Sequence, residues 1–184
     1  PRTTQTSSSA ASDVYKRQHI PFCHRRCFYC DFAVIPLGNK IESLEGFGSK
    51  TVKDYLTYLK KEILSIKHKS PLSTIYIGGG TPSILHPLQI KELINLFKES
   101  YKIDYGAEIT MEVDPASFNE DDLYGFINAG INRFSLGVQS FNNQVLEQAG
   151  RRHCSKDVEK SCFWLKRAYA VSYTHLRAHE TDHD

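Results

Sequence analysis

Between Thr74 and Gly150 the chain repeats one pattern: a short β-branched or aromatic run, a break at glycine or proline, then a stretch of helical period. Thr74–Ile77 stops at Gly78-Gly79-Gly80-Thr81-Pro82 and gives way to a helical segment over Leu88–Tyr101. Glu108–Val113 ends at Asp114-Pro115, after which Asn119 or Glu120 opens a helix through Ile127 that Gly130 terminates. Arg133–Val138 is the third strand, leaving through Gln139–Phe141 into a short helix over Asn142–Ala149. Such alternation makes neighbouring strands parallel, because each helix returns the chain to the same end of the sheet by a right-handed crossover. With His19–Phe22 as the stub of a first strand, the predicted α/β fold is a partial (β/α) barrel of the TIM type, interrupted after about four βα units.

Two further helices complete the pattern. Thr51–Lys67 sets Val52, Tyr55, Leu56, Leu59, Ile63 and Ile66 at steps of three and four, and Ser155–Tyr169 carries Val158, Cys162, Leu165 and Tyr169 on one stripe. Every unusual cluster of residues falls just past the carboxyl end of a strand, the face on which parallel α/β architectures collect ligands.

Composition mainly excludes. A net charge of +2 from 23 basic and 21 acidic residues, without a dense basic run, gives no reason to expect nucleic acid as a partner. No apolar stretch approaches the roughly 18–20 residues of a transmembrane helix, and no basic-then-apolar leader opens the chain, so a cytoplasmic protein is expected. The tails read as foreign. Ser8–Gln18 and Val171–Thr181 lack hydrophobic periodicity, and codons for Asp-Val-Tyr-Lys-Arg-Gln can be chosen whose reverse complement, shifted in frame, reads Val-Ser-Tyr-Thr-His-Leu. Residues 1–18 and 171–184 are therefore expected to be artefactual, translated from sequencing adapters, and residues 19–170 to be the partial core domain.

Three of the five cysteines crowd together as Cys23, Cys27 and Cys30, in His19-Ile20-Pro21-Phe22-Cys23-His24-Arg25-Arg26-Cys27-Phe28-Tyr29-Cys30. C-x3-C-x2-C on a loop leaving a strand suits metal ligation better than a disulfide framework. Three thiolates can hold three irons of a [4Fe-4S] cubane and leave the fourth open to an outside ligand. The alternative is a zinc-stabilised binding module completed by His24 or His19, against which stands the lack of a second Cys/His pair. Cys154 and Cys162 have no partner at ligand spacing and read as ordinary thiols.

The cysteine motif, with Tyr29 before its last thiol, resembles the signature of radical S-adenosylmethionine enzymes. Gly78-Gly79-Gly80-Thr81-Pro82, Met111-Glu112-Val113-Asp114-Pro115 and the run from Gly130 to Phe141 resemble, in order and spacing, the oxygen-independent coproporphyrinogen III oxidases and the related HemW heme chaperones. The resemblance covers nearly all of His19–His153. It implies a [4Fe-4S] cluster whose open iron is chelated by the methionine amine and carboxylate of S-adenosylmethionine. One-electron reduction, by a donor such as flavodoxin or ferredoxin, then splits the sulfonium to a 5′-deoxyadenosyl radical.

Carried over by position, the resemblance implies that Tyr29, Gly79, Gly80, Thr81, Glu112, Gln139 and Arg151 contact that cofactor. The chemistry is reasonable: glycine admits close backbone approach, Glu112 can accept from ribose hydroxyls, Gln139 can hydrogen-bond, and Arg151 can pair with a carboxylate. Two positions depart from the family. Arg17 replaces an expected tyrosine, and an acidic contact would fall at Leu176. The oxidase branch tends to carry a fourth cysteine two residues past the last one, where this chain has Phe32, and Gly150-Arg151-Arg152-His153 also looks like the chaperone branch. The function implied is binding of heme or a related porphyrin and its transfer to an acceptor protein. Oxidative decarboxylation of porphyrinogen propionates is the alternative, and the isolated fragment is expected to be inactive.

Overall fold

The computed structural model describes residues 15–38, 49–66 and 71–169. Its elements run β1 (Tyr15–Ile20), β2 (Phe22–Cys23), β3 (Ile35–Pro36), α1 (Lys50–Ser65), β4 (Leu72–Gly79), a 3₁₀ turn (Pro82–Ile84) and α2 (Pro87–Ser100). There follow β5 (Ile103–Val113), α3 (Glu120–Ala129), β6 (Arg133–Leu136), α4 (Asn143–Gln148) and α5 (Ser155–Tyr169). The main sheet has four strands in the order β1-β4-β5-β6, every pair parallel. Each strand adjoins the previous one in the chain, without the reversal of order that marks a doubly wound sheet, so this is the opening arc of a barrel.

Side chains alternate across the arc with the period of two that strands impose. Ile75, Ile77, Met111 and Phe134 are buried in one hydrophobic cluster with Leu59 and Ile63 of α1, Ile90 and Phe97 of α2, Phe126 of α3 and Leu165 of α5. Burying each such side chain stabilises the fold by roughly 1.5–3 kcal/mol. Helix packs on helix in chain order, α1 on α2, α2 on α3 and α3 on α5, which coats the outer face of the arc. Tyr76, Glu112 and Ser135 occupy the opposite, concave side and line a cavity there.

Helix ends follow local chemistry. Asn119 caps α3 reciprocally: its Oδ1 accepts from the Asp122 amide at 2.9 Å, and its own amide donates to Asp122 Oδ2 at 3.1 Å. Glu120, Asp121 and Asp122 place negative charge in the first turn, where the helix dipole favours it. Gly130 closes the helix at φ 110°, and its amide reaches Ile127 O at 2.9 Å. Asn119→Ala is expected to cost about 1 kcal/mol, read as a lower urea midpoint at unchanged slope.

The structure departs furthest from expectation at three places. β1 begins at Tyr15 instead of His19, so residues 15–18, set aside above as tail, pair with Thr74–Ile77. A parallel ladder is built from backbone groups and leaves no apolar signature in the polar run Tyr15-Lys16-Arg17-Gln18. β5 begins at Ile103 because Asp104, Tyr105 and Gly106, all exposed, precede the register in which Thr74–Ile77 face Glu108–Met111. Phe22, expected to end the first strand, instead opens β2, which pairs with Ile35–Pro36, where no element is predicted. Residues 1–14 and 171–184, including Leu176, lie outside the described residues.

Candidate functional site

At the carboxyl ends of the four strands lies a cavity of about 280 Å³, close to the lower bound of roughly 300 Å³ for small-molecule sites. Cys23, Cys27, Cys30 and Tyr29 line one side. Gly79, Gly80 and Thr81 from the end of β4, Glu112 from β5, Gln139 past β6 and Arg151 past α4 line the rest, together with Phe32. The strand-loop-helix repeat thus brings onto one surface residues up to 128 positions apart, from Cys23 to Arg151.

The glycine loop is held against the cysteine strand. The Gly80 amide donates to Ile20 O at 2.8 Å and the Thr81 amide to Phe22 O at 2.7 Å. The Thr81 hydroxyl points at Cys23 Sγ, 3.4 Å away. A Cβ at residue 80 would meet Phe22 O at 2.6 Å and both Cys23 Sγ and Ile20 O at 3.0 Å, and backbone carbonyls in a ladder cannot step aside. Gly79, at φ 116°, abuts the His19 imidazole and occupies a conformation open mainly to glycine. Gly80→Ala is therefore expected to destabilise the protein by about 1–3 kcal/mol and to displace Cys23, seen as a lower melting temperature with poorer iron incorporation.

Glu112 is anchored by both oxygens. The Tyr76 hydroxyl donates to Oε1 at 2.6 Å and the Gly79 amide to Oε2 at 3.0 Å. Burial, then the carboxylate it serves, pushes the Tyr76 phenol up to about 12, so it remains a donor throughout the neutral range. Nothing in the sequence singled out Tyr76. Its only signal was a polar group alternating with Ile75 and Ile77 in an otherwise apolar strand.

Arg151 is the junction of the site, with a side chain only 12% exposed. Its Nη2 pairs with Asp114 Oδ2 and donates to Gly137 O at 2.9 Å. Its Nη1 approaches Cys27 Sγ at 3.6 Å and Tyr29 Oη at 3.4 Å. Burial alone would push the Asp114 carboxyl up, but the His153 hydrogen bond and the Arg151 charge outweigh it and hold the carboxyl below the usual range. Arg151 is correspondingly raised, the Asp114 charge overcoming the penalty of burial. The cysteine loop docks on the same corner: the Phe28 amide donates to Ala149 O at 3.1 Å, and the Phe28 ring lies over Gly150, which adopts φ 75°. Gln139 is the sole non-glycine residue at positive φ, 63°, among the described residues. Backbone strain of that kind, costing about 1–3 kcal/mol, collects at ligand sites.

The donor set fits an iron–sulfur cluster with an organic ligand beside it. Three soft thiols border the cavity, and the Cys23 thiol is pushed up first by burial and then by the neighbouring Cys30 and Cys27 charges, which bound iron would offset. Arg151 Nε is buried without a partner and provides a donor for an acidic ligand group. A single-ion site fits less well. Among the described residues no three His, Cys, Asp or Glu side chains gather about one point, whereas a cubane takes its thiolates on separate irons. His19 and His24, the possible completing zinc ligands, each have a ring nitrogen at a backbone carbonyl, Ala33 O at 3.0 Å and Gly38 O at 3.3 Å.

A parallel barrel arc thus carries three cysteines at the mouth of its first strand and a glycine loop at its second, around one cavity. The Radical SAM superfamily profile matches residues 18–184, and the chain belongs to that superfamily, which implies a [4Fe-4S] cluster and S-adenosylmethionine. Among curated relatives, it is 40% identical over 144 residues to the heme chaperone HemW of Synechocystis sp., a match covering 78% of this chain and 34% of that protein. It is 35% identical over 162 residues to the oxygen-independent coproporphyrinogen III oxidase of Escherichia coli, covering 85% of this chain and 32% of the relative. Coproporphyrinogen III oxidase (HemN) from Escherichia coli, a radical SAM enzyme of known structure, superposes with a TM-score of 0.68 at 27% identity, over 88% of this chain and 42% of that one. The chain thus spans about a third of the length of these curated relatives.

Proposed function

We propose that the protein to which this chain belongs is a heme chaperone of the HemW type, which binds heme and passes it to an acceptor protein. The observation that carries the reading is Phe32, an apolar residue on the cavity wall where the oxidase branch tends to have a fourth cysteine. Similarity to HemW relatives from Synechocystis sp. and Lactococcus lactis, at 40% and 37% identity, supports it.

In this reading Cys23, Cys27 and Cys30 hold the cluster. When bound, cluster and S-adenosylmethionine together supply one-electron chemistry, with flavodoxin or ferredoxin as donor. Tyr29, Gly79, Gly80 and Thr81 shape the cofactor's bed, Glu112 takes its hydroxyls, Gln139 donates to it and Arg151 pairs with its carboxylate. Tyr76 keeps Glu112 oriented as an acceptor, and the Asp114–Arg151 pair joins the ends of β5 and β6 to the cysteine loop. The protein acts in the cytoplasm; among the described residues no helix is long and apolar enough to cross a membrane.

The second reading, oxidative decarboxylation of coproporphyrinogen III, is favoured by the 35% identity to the Escherichia coli oxidase. Full-length protein, reconstituted anaerobically with iron and sulfide, separates them. Stoichiometric heme binding without decarboxylated porphyrinogen supports the chaperone, and decarboxylated product without heme binding rejects it. A colourless, zinc-loaded product rejects both. We further propose that residues 19–170 are the native segment and that both tails derive from adapters; the uninterrupted gene, amplified from genomic DNA, is expected to diverge at those junctions.

A further inference from the structure

His153 has no part in the chemistry set out above, yet its side chain is fully buried at the rim of the cofactor cavity. Its Nε2 lies 2.9 Å from Val138 O. A carbonyl can only accept, so Nε2 carries a proton and donates it. The other ring nitrogen, Nδ1, lies 3.3 Å from Arg151 Nη2 and 3.6 Å from Asp114 Oδ2. One imidazole therefore connects the loop leaving β6 with the guanidinium at the centre of the site.

The consequence extends to Gln139. The two carbonyls just ahead of it are both held, Gly137 O by Arg151 at 2.9 Å and Val138 O by His153. Downstream, the Ser140 amide returns to Val138 O at 2.8 Å. These bonds fix the loop in which Gln139 takes φ 63°, a conformation that a non-glycine residue keeps only where its surroundings enforce it.

We propose that His153 is a positioning residue for S-adenosylmethionine: it fixes Arg151 and Gln139 together, so that both meet the cofactor without first having to be ordered. The inference rests on the cofactor site proposed above and adds a residue that touches neither cluster nor cofactor. A side chain ordered in advance lowers the cost of binding. Two such groups together give an effect of about tenfold in affinity.

The test uses full-length protein reconstituted with its cluster and compares His153→Leu, which keeps volume but no polar atom, with His153→Gln, which keeps a donor and an acceptor. S-adenosylmethionine affinity is measured by calorimetry, alongside iron content and hydrogen exchange of the peptide spanning residues 137–141. The expected result is about tenfold weaker binding and faster exchange for His153→Leu at full iron content, with His153→Gln within about twofold of wild type. In an Arg151→Met background, His153→Leu is expected to weaken binding by no more than about threefold further, because it acts largely through Arg151. Wild-type affinity in His153→Leu, or full additivity with Arg151→Met, overturns the proposal. If the leucine variant loads no cluster, the glutamine variant decides: a tenfold loss there at full iron content also overturns it. Absence of cofactor binding in the wild-type protein instead overturns the underlying site, a separable outcome.

Discussion

Alanine at any one of Cys23, Cys27 or Cys30 is expected to leave the reconstituted full-length protein without its broad charge-transfer absorption, iron falling from about four atoms per chain to below about one. The three thiols are the cysteines that line the cavity, since Cys154 and Cys162 do not. Losing one removes a third of the anchorage and opens a second iron to exchange with solvent. The polypeptide should tolerate the change better than the cluster does. Cys27 and Cys30 are only half-buried on a loop, so melting temperatures of the metal-free variants at these positions are expected to stay near wild type. A variant that retains full iron and its dithionite-bleachable colour would refute the assigned ligands.

The second large effect belongs to Asp114. Its carboxylate is the anionic partner of a guanidinium that is 12% exposed, and Asp114→Ala leaves that charge without compensation. Removing one member of a buried pair costs about 3–5 kcal/mol, which for a domain of this size lowers the melting temperature by roughly 10 °C. The pH dependence follows in sign. The folded carboxyl titrates below its ordinary value, so its stabilisation is present in full above the normal carboxylate range and is lost as pH falls through the folded pKa. Wild type should therefore lose stability on acidification in a window just below the ordinary aspartate pKa, and Asp114→Ala should lack that component of the loss. Equal acid sensitivity of the two proteins in urea titrations would show that Asp114 does not carry it.

Much of this was legible in the residues because barrel units advertise themselves. Three short strand-like runs, two broken at Gly or Pro and the third leaving through Gln139–Phe141, each followed by helical period, are enough to specify parallel strands and the ligand-bearing end. Cysteine spacing and the glycine run were equally plain, since their chemistry depends on near neighbours. What escaped notice depends on distant ones. Tyr76 matters only because β5 brings Glu112 beside it, and Asp114 only because the chain returns with Arg151 and His153 thirty-seven and thirty-nine positions later. The bridge between β2 and β3 was invisible for a related reason: Ile35 and Leu37 donate backbone amides to Pro21 and Cys23 carbonyls, which no side-chain pattern records.

The strand order carries a consequence for biogenesis. Because each new strand adds beside its immediate predecessor, no part of the cofactor bed has to wait for a distant segment to be threaded between strands already in place. Translation at about 5–20 residues per second would deliver the bed from its first thiol to Arg151 within roughly half a minute, in an order that matches assembly. The cavity lining from Cys23 to Arg151 thus emerges in the order in which its strands pair.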